Sequence, residues 1–355
     1  MAVYVEIRKN MDGFSLNLQF QSNSKRIGIL GASGCGKSMT LKSIAGIETP
    51  EKGQIQIGDR ILFDSGEKIN IKPQKRNAGY LFQNYALFPT MTVEQNIGAG
   101  LRGRWKEKKE RVQEMIGKFG LSGLEGRLPG ELSGGQQQRT ALARIMAYEP
   151  EIILLDEPYA ALDMFLRDRL QQELLDMLRD YEGTVILVSH NRDEIYRFSD
   201  DLLIMEKGQA ACFGKSKDIF SNPKKKVAAG LTGCKNFSKV RRIDDHRLEA
   251  ADFGIVLCTE RKIPENTAYI GFRAHEFEPV WGMREKNCMK VQVESAAQLP
   301  FEKQYFLRPE GAVSQKEDQE QICWFVQRDR QREIEKRGLP PYLKFTEEHI
   351  LFLEE

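Results

Sequence analysis

The phosphate-loop pattern at residues 31–38 constrains the fold more than any other feature of this sequence. The segment Gly-Ala-Ser-Gly-Cys-Gly-Lys-Ser matches G-x-x-x-x-G-K-[ST], follows the apolar run 26–30 and opens the helical pattern 37–45. Glycines let successive backbone N–H groups face one anion, and the start of the following helix adds the positive end of its dipole. A strand, a loop and a helix in this order predict a nucleotide-binding α/β unit.

The residues of this loop have separate expected tasks. Lys37 is expected to neutralise negative charge on the β- and γ-phosphates of ATP, and Ser38 to place its hydroxyl on Mg²⁺. Cys35 is interpreted as a small filler of the loop rather than as a redox group. The residues expected to bind the nucleotide along the loop and just beyond it are Gly31, Ala32, Ser33, Gly34, Cys35, Gly36, Lys37, Ser38 and Met39.

Two further apolar runs end in polar residues suited to phosphate chemistry. The run 152–155 is followed by Asp156 and Glu157, and the run 184–189 by His190. A carboxylate beside a phosphate loop can hold Mg²⁺ through its water shell, so Asp156 is a candidate metal ligand. Glu157 is then placed to polarise a water that attacks the γ-phosphate. Apolar strands that alternate with helices predict a largely parallel sheet with its ligands at the carboxyl ends of the strands.

A second anion-binding helix start is predicted at residues 132–139, Leu-Ser-Gly-Gly-Gln-Gln-Gln-Arg. Ser133 can serve as N-cap, and the two glycines expose backbone N–H groups at the start of a helix that runs to about residue 147. Each glycine disfavours a helix by about 1 kcal/mol, so ordinary capping does not explain this pair. The chain therefore carries two candidate phosphate sites.

Length and pattern indicate two domains. The chain has 355 residues, 41% of them hydrophobic, which is enough for two cores. The pattern is helical between about residues 92 and 147, whereas alternating patches and short apolar runs after residue 226 predict the strands of a small barrel or sandwich. Residues 222–226, Asn-Pro-Lys-Lys-Lys, are predicted to form a linker. We predict domains over residues 1–230 and 231–355.

Composition excludes several classes of protein. The 53 Lys and Arg residues against 51 Asp and Glu residues give a formal charge of +2, without the field of a nucleic-acid binder. The six cysteines contain no C-x-x-C pair, which argues against a zinc site or a disulfide scaffold and favours a reducing cytosol. No signal pattern and no apolar run of about 18 residues is present. We expect a soluble chain whose membrane role comes through a partner.

Together these motifs resemble the ATP-binding subunit of ABC transporters. The phosphate loop, the signature 132–136, the strand 152–157, the segment 160–163 and the lone His190 occur in the order and spacing of that family. The resemblance implies a P-loop NTPase (ABC ATPase) domain of α/β class with a helical subdomain, followed by a small β-rich domain of TOBE or OB-like type. It covers roughly residues 1–230 firmly and the remainder loosely.

The resemblance also implies how two copies cooperate. The signature of one subunit caps the γ-phosphate held by the loop of a second, so Ser133, Gly134 and Gly135 are implied to act in trans. Gln136 is a further candidate nucleotide-binding residue. The catalytic unit is then a homodimer that encloses two ATP molecules. Asp163 is implied to bridge the two copies.

Further roles follow from the same resemblance. Gln83 is implied to sense Mg²⁺ and water and to border the membrane subunit, and His190 to contact the γ-phosphate and order the attacking water. Adenine is expected to stack on an aromatic ring, for which Phe14 is the candidate because Met11 occupies the position where many relatives have an aromatic. Met39 stands where Thr is frequent in the family.

The resemblance favours an importer. Residues 83–89 resemble importer subunits that serve oxyanions, sugars, polyamines and iron, residues 270–276 resemble their accessory β domain, and residues 231–236 look most like molybdate or sulfate importers. The implied partners are permease subunits, a second copy and, indirectly, an extracytoplasmic solute-binding protein. The implied location is cytoplasmic, on the inner face of the cell membrane. In the tail, Arg273 is a candidate donor to a regulatory oxyanion, against the alternative of a structural dimerisation module.

Other functions stay open at this point. The cargo can be iron, a polyamine or a sugar instead of an oxyanion. A non-transport ABC ATPase that acts on nucleic acid or ribosomes is a further alternative, although it predicts paired nucleotide domains, a long coiled coil or a basic surface. A regulatory protein that binds ATP and hydrolyses little is a third, which the presence of Glu157 and His190 disfavours.

Overall fold

A computed structural model of the chain describes residues 2–159, 164–310 and 321–355, and it divides into the units Met1–Lys217 and Asp218–Glu355. The division lies earlier than the predicted boundary after residue 230. The predicted linker 222–226 belongs to the second unit, because the Lys226 N–H donates to the Glu354 carbonyl at 3.0 Å. The Lys226 ammonium also lies 4.3 Å from the centre of the Tyr269 ring.

The first unit has an α/β fold. Its strands are β1 Val3–Met11, β2 Phe14–Ser22, β3 Arg26–Gly31, β4 Lys52–Ile57, β5 Arg60–Asp64, β6 Ile69–Asn70, β7 Ala78–Leu81, β8 Ile152–Asp156, β9 Thr184–Ser189, β10 Asp201–Glu206 and β11 Gln209–Lys215. Its helices are α1 Lys37–Ala45, α2 Val93–Gly98, α3 Trp105–Lys118, α4 Gly134–Ala147, α5 Met164–Met177 and α6 Arg192–Phe198, and α7 Ser216–Ser221 crosses the unit boundary.

One sheet organises this unit, and its order is β6-β5-β4-β1-β2-β11-β10-β3-β9-β8-β7. Strands β10, β3, β9, β8 and β7 pair in parallel, which confirms the predicted parallel sheet. On the other side, β2, β1, β4, β5 and β6 pair antiparallel. Strands β1 and β2 mostly alternate buried and more exposed residues, as expected for strands with one face in the core. The carboxyl ends of β3, β8 and β9 lie side by side, so the residues that follow these strands meet at one edge.

The region predicted to be helical contains α2, α3 and α4. Helix α3 is amphipathic: it buries Val112, Met115 and Ile116 and leaves most of its charged residues exposed. Helix α4 packs against α2, α3 and β7, and it carries the predicted signature at its start. No helix in the described part of the chain is long and apolar enough to span a lipid bilayer.

Arg76 is a buried cation that holds the end of α1. Its guanidinium donates to the Ser43 and Ile44 carbonyls, both at 2.8 Å, and to the Ile71 carbonyl at 2.7 Å. Burial lowers the pKa of Arg76 to about 10, so the group stays charged at neutral pH. A cation is favourable at this position because the last carbonyls of a helix carry partial negative charge and have no partner within the helix.

Replacing Arg76 with Met should destabilise the first unit by about 3 kcal/mol, because several buried carbonyls lose their donors at once. Urea denaturation of the full chain measures this as a lower midpoint of that unit's transition. Arg169→Met is the control: Arg169 is 76% exposed and pairs with Glu173 on the surface of α5, so about 0.5 kcal/mol or less is expected. Equal losses in the two variants would contradict the structural role of Arg76.

The second unit is β-rich, as predicted. After α8 Lys226–Leu231, its strands are β12 Asn236–Arg242, β13 Arg247–Ala250, β14 Ile255–Cys258, β15 Tyr269–Phe272, β16 Glu278–Val280, β17 Cys288–Gln298, β18 Glu302–Pro309, β19 Ile322–Gln327, β20 Tyr342–Lys344 and β21 Leu351–Leu353. The described strands form two sheets, ordered β14-β13-β12-β15-β21 and β16-β20-β17-β18-β19. Phe272, Phe277 and Phe345 pack together in its core. Helix α9 Arg328–Arg337 was not predicted, because it is strongly charged and Ile334 is its sole buried residue.

Candidate functional site

The phosphate loop follows β3, which lies between β9 and β10 in the sheet. Gly31 has no room for a side chain, since a Cβ there would lie 2.6 Å from the Met205 carbonyl oxygen and 2.5 Å from Cys35 Sγ. Gly36 has φ +102°, and a Cβ would lie 3.0 Å from the Phe14 ring. An L side chain rarely adopts that backbone conformation. The packing around the loop therefore requires glycine at both positions.

Lys37 places a positive charge inside the loop. Its side chain is buried, and Nζ donates to the Gly31 carbonyl at 2.8 Å and to the Ala32 carbonyl at 3.0 Å. Nζ also lies 4.0 Å from Glu157 Oε1. A buried ammonium needs such oxygen partners, and they fix it at the mouth of the loop, where a polyphosphate would meet it.

Ser38 and Asp156 bring two oxygen ligands together. Ser38 Oγ donates to Asp156 Oδ1 at 2.8 Å, across the gap between α1 and the end of β8. A hydroxyl and a carboxylate are hard oxygen ligands of the kind that Mg²⁺ prefers. In the part of the chain that the structure describes, no three His, Cys, Asp or Glu side chains cluster as a metal cage. The pair thus fits a cation that takes its other ligands from phosphate and water.

Tyr80, in β7, forms a hydrogen bond with the other oxygen of the Asp156 carboxylate. Its hydroxyl donates to Asp156 Oδ2 at 2.8 Å. Burial, and then the charge of Asp156, raises the pKa of Tyr80, so the phenol stays protonated and donates. The sequence analysis missed this residue. The available signal was a polar group in an otherwise apolar strand that pairs with β8.

Glu157 and His190 complete the edge of the sheet. Glu157 has φ +46°, a left-handed conformation that costs an L residue roughly 1 kcal/mol, and its N–H donates to the Val188 carbonyl at 3.0 Å. This bend follows β8 directly and turns the carboxylate toward Lys37. His190 Nδ1 lies 3.1 Å from Glu157 Oε2. The structure thus brings together the predicted base, imidazole and ammonium.

A buried network behind His190 was also missed. Ser189 Oγ donates to Glu194 Oε2 at 2.5 Å, and the Asn191 N–H donates to Ser189 Oγ at 2.9 Å. Burial raises the pKa of Glu194. Asn191 also caps α6 through its side chain, which accepts from the Asp193 N–H at 2.9 Å. The network holds the turn from which His190 projects. Its residues belong to the connection from β9 to α6, and Ser, Asn and Glu are common in such connections, so they do not stand out in the sequence.

Gln83 lies in the turn after β7, and its side chain is exposed. Within residues 2–159, 164–310 and 321–355, no hydrogen bond joins it to the metal-site oxygens. The next residues are held firmly: Tyr85 and Ala86 have φ of 60° and 42°, and Arg144 of α4 donates to both of their carbonyls, at 3.0 Å and 2.7 Å. The Arg144 guanidinium also lies 5.4 Å from the centre of the Phe88 ring.

The signature forms the start of α4, as predicted. Ser133 is the N-cap, and it makes a reciprocal pair with Gln136: the Gln136 N–H donates to Ser133 Oγ at 3.4 Å, and the Ser133 N–H donates to Gln136 Oε1 at 2.9 Å. Ser133 and Gly134 are exposed. At Gly135 a Cβ would lie 3.2 Å from Leu170, so a larger residue would crowd α5. The helix start therefore faces outward.

Known proteins identify the family of this chain. The family described as ABC transporter matches residues 14–160. A protein named as an iron(III) import ATP-binding protein of Haemophilus influenzae is 37% identical over 252 residues, which make up 70% of this chain and 71% of that protein. A sulfate/thiosulfate import ATP-binding protein of Chromobacterium violaceum is 37% identical over 289 residues, 80% of this chain and 76% of that protein. The chain belongs to the ABC transporter family.

Solved structures agree with this assignment. A dimeric ATP-binding cassette in a post-hydrolysis state, bound to ADP and Pi, has a TM-score of 0.50 and 28% identity over 61% of this chain and 99% of that one. A Clostridium perfringens subunit of an ABC transporter complex has a TM-score of 0.53 and 28% identity over 61% and 90% of the two chains. The first unit is an ABC ATPase, and the reaction of the chain is ATP hydrolysis.

The remaining residues predicted to bind the nucleotide or to bridge the copies differ in where they lie. Phe14 begins β2 half-buried, with its ring beside the loop at Gly36. Met39 packs its side chain against the core, which leaves its backbone N–H at the start of α1 as the group that can meet a nucleotide. Cys35 is buried, and burial raises the pKa of its thiol, consistent with a filler. Asp163 lies outside the described residues.

Arg273 of the second unit is engaged in its own domain. Its guanidinium donates to the Thr232 carbonyl at 2.7 Å and to the Phe220 carbonyl. These bonds tie the end of β15 to the segment before β12. They give Arg273 a structural role, and they leave fewer of its donors for an oxyanion than the sequence suggested.

Proposed function

We propose that this ABC ATPase is the ATP-hydrolysing subunit of an importer and that two copies close around two ATP molecules. One observation carries the proposal: at the carboxyl ends of three neighbouring strands, side chains with separate chemical tasks converge within hydrogen-bonding or ion-pairing distance. These side chains are Lys37, Ser38, Asp156, Glu157 and His190. The import function is supported by the names of the similar proteins from Haemophilus influenzae and Chromobacterium violaceum.

The residues of the site divide the hydrolysis of ATP between them. Lys37 neutralises charge on the β- and γ-phosphates, and Glu157 accepts the proton of the water that attacks the γ-phosphorus as the bond to ADP breaks. His190 contacts the γ-phosphate and keeps the Glu157 carboxylate in place. Mg²⁺ would be held by Ser38, Asp156 and Gln83, and when bound it neutralises charge on the phosphate oxygens.

The second phosphate-binding helix start acts on the partner's nucleotide. Ser133 and Gly134 are exposed, which suits a contact with another molecule, and the N–H groups at a helix start are suited to bind an anion. Gly135 and Gln136 complete this contact, and Asp163 is proposed to bridge the copies. The dimeric cassette bound to ADP and Pi supports this arrangement.

The motion of the dimer is proposed to reach a permease through the segment 83–89. Arg144 lies on α4, the helix that starts with the signature, and it holds the backbone of Tyr85 and Ala86. A displacement of α4 is therefore passed directly to the exposed Phe88. On this proposal the chain works at the cytoplasmic face of a membrane, bound to permease subunits, while a solute-binding protein acts on the other side.

The proposed cargo is an oxyanion such as sulfate or molybdate. The resemblance at residues 231–236 and the sulfate/thiosulfate relative support it, whereas the iron relative keeps a metal cargo as the alternative. A polyamine is a further alternative cargo. It is suggested by a spermidine/putrescine import ATP-binding protein of Bacillus cereus, which is 43% identical over 59% of this chain and 64% of that protein.

Deleting the gene should lower cellular uptake of labelled sulfate or molybdate by about tenfold or more, because uptake against a gradient then lacks its ATPase. Uptake of iron and spermidine should stay at the parental level. The matched control restores the gene as wild type or as Glu157→Gln, and only the wild type should restore uptake. Loss of iron or spermidine uptake instead would reassign the cargo, and normal uptake of all four would contradict an import function.

A further inference from the structure

The carboxylate of Asp156 is held by two hydroxyls in the described structure. Ser38 Oγ donates to Oδ1 and Tyr80 Oη donates to Oδ2, both at 2.8 Å. Tyr80 is 9% exposed, and its ring lies 4.4 Å from that of Phe82. A carboxylate can rotate about its last torsion, which is broad and roughly two-fold. The bond from Tyr80 removes that freedom and leaves one oxygen toward Ser38.

We propose that Tyr80 is a positioning residue for the metal of the nucleotide site, which fixes Asp156 so that Oδ1 alone faces the cation. The inference rests on the proposed function, because it takes Mg²⁺ to be held by Ser38 and Asp156 together with ATP. Partners that hydrogen-bond a metal ligand orient it and commonly change metal affinity by 10- to 100-fold, roughly. Tyr80 is such a partner by position and by chemistry.

The same contact also favours Mg²⁺ over Ca²⁺. Mg²⁺ demands near-octahedral geometry and keeps several waters, so one carboxylate oxygen is enough for it. Ca²⁺ accepts more oxygen ligands and often binds both oxygens of one carboxylate. Because Tyr80 occupies Oδ2, Asp156 presents a single oxygen. Removing the phenolic hydroxyl would free Oδ2 and weaken the discrimination between the two cations.

Tyr85 provides a matched control within the same unit. It is 5% exposed, and its hydroxyl has no hydrogen-bond partner among the described residues. Tyr85→Phe therefore removes the same atom from a similarly buried ring as Tyr80→Phe does, without breaking a hydrogen bond. Phe at position 80 also keeps the ring that packs on Phe82, so both variants are expected to fold, which thermal melting checks.

The test measures, by calorimetry, the binding of a non-hydrolysable ATP analogue. The measurement is made in EDTA and across a series of Mg²⁺ and Ca²⁺ concentrations. Tyr80→Phe should raise the Mg²⁺ concentration for half-maximal binding by about tenfold and the Ca²⁺ concentration by clearly less. Its affinity in EDTA should change by less than about twofold, because no nucleotide contact is removed. Tyr85→Phe should match the wild type throughout.

The outcomes separate the two levels of the account. If wild-type binding does not depend on the cation, the metal role proposed for Ser38 and Asp156 fails, and the inference fails with it. If wild-type binding does depend on it but Tyr80→Phe and Tyr85→Phe behave alike, the role of Tyr80 is overturned while the proposed function stands. An equal loss of affinity in EDTA and in Mg²⁺ would show that Tyr80 supports the fold of the site in general, which also overturns the inference.

Discussion

Replacing Glu157 with Gln should slow ATP turnover by about 10²- to 10⁴-fold while ATP still binds. The amide has nearly the same shape as the carboxylate but cannot accept a proton from the attacking water. The groups that hold the triphosphate, Lys37 and Ser38, are unchanged. Phosphate release measures the turnover, and binding of a fluorescent ATP derivative in the same samples measures the affinity.

The control for this prediction is Asp193→Asn. Asp193 is 73% exposed and lies near His190 in the chain. The substitution therefore removes a similar charge close to the site but leaves the predicted catalytic residues unchanged. Its turnover should stay within about twofold of the wild type. Undiminished phosphate release by Glu157→Gln would refute the role of Glu157 as base.

Ser133→Arg should lower the rate of ATP hydrolysis by about 100-fold or more, while each copy still binds ATP in its own phosphate loop. The substitution places a bulky side chain on the exposed helix start that is proposed to cover the partner's γ-phosphate. Losing the N-cap costs only about 1 kcal/mol, which does not unfold the domain. Steady-state hydrolysis and equilibrium binding of ATP separate the two effects.

Thr92→Arg is the matched control for the lost cap. Thr92 caps α2 with the same reciprocal pair, to Gln95, that Ser133 makes at α4. The two variants lose equivalent capping bonds and gain the same cation, but only one changes the proposed contact between copies. ATP hydrolysis by Thr92→Arg should stay close to that of the wild type. A comparable loss in both variants would mean that helix stability, and not the contact in trans, explains the effect.

The parts of the site that are contiguous in sequence were predictable. Three features depend only on neighbours within a few residues: the glycines of the phosphate loop, the apolar run that ends in Asp156 and the cap at Ser133. The local sequence pattern is therefore enough to predict them. The parallel sheet follows in turn, because strands that are buried on both faces are apolar over most of their length, as in β8 and β9.

The contacts that join distant segments were not predictable. Tyr80 meets Asp156 only because β7 and β8 pair in parallel, and an apolar strand with one tyrosine does not reveal which residue its hydroxyl will reach. Arg76 resembles a surface residue in sequence, but it is 0% exposed and bonded to the end of α1. Residues 222–226 resemble a linker by composition, whereas backbone bonds near residue 354 place them in the second unit.

The central claim is that the start of α4 in one copy meets the phosphate loop of another. A photo-cross-linking residue at the exposed Glu131, in the Glu157→Gln chain, tests it most directly when light and isotopically heavy copies are mixed. With ATP and Mg²⁺, mass spectrometry should find cross-links between a light residue 131 and heavy residues 31–38. Cross-links only within one copy, or the same yield without ATP, would contradict the account.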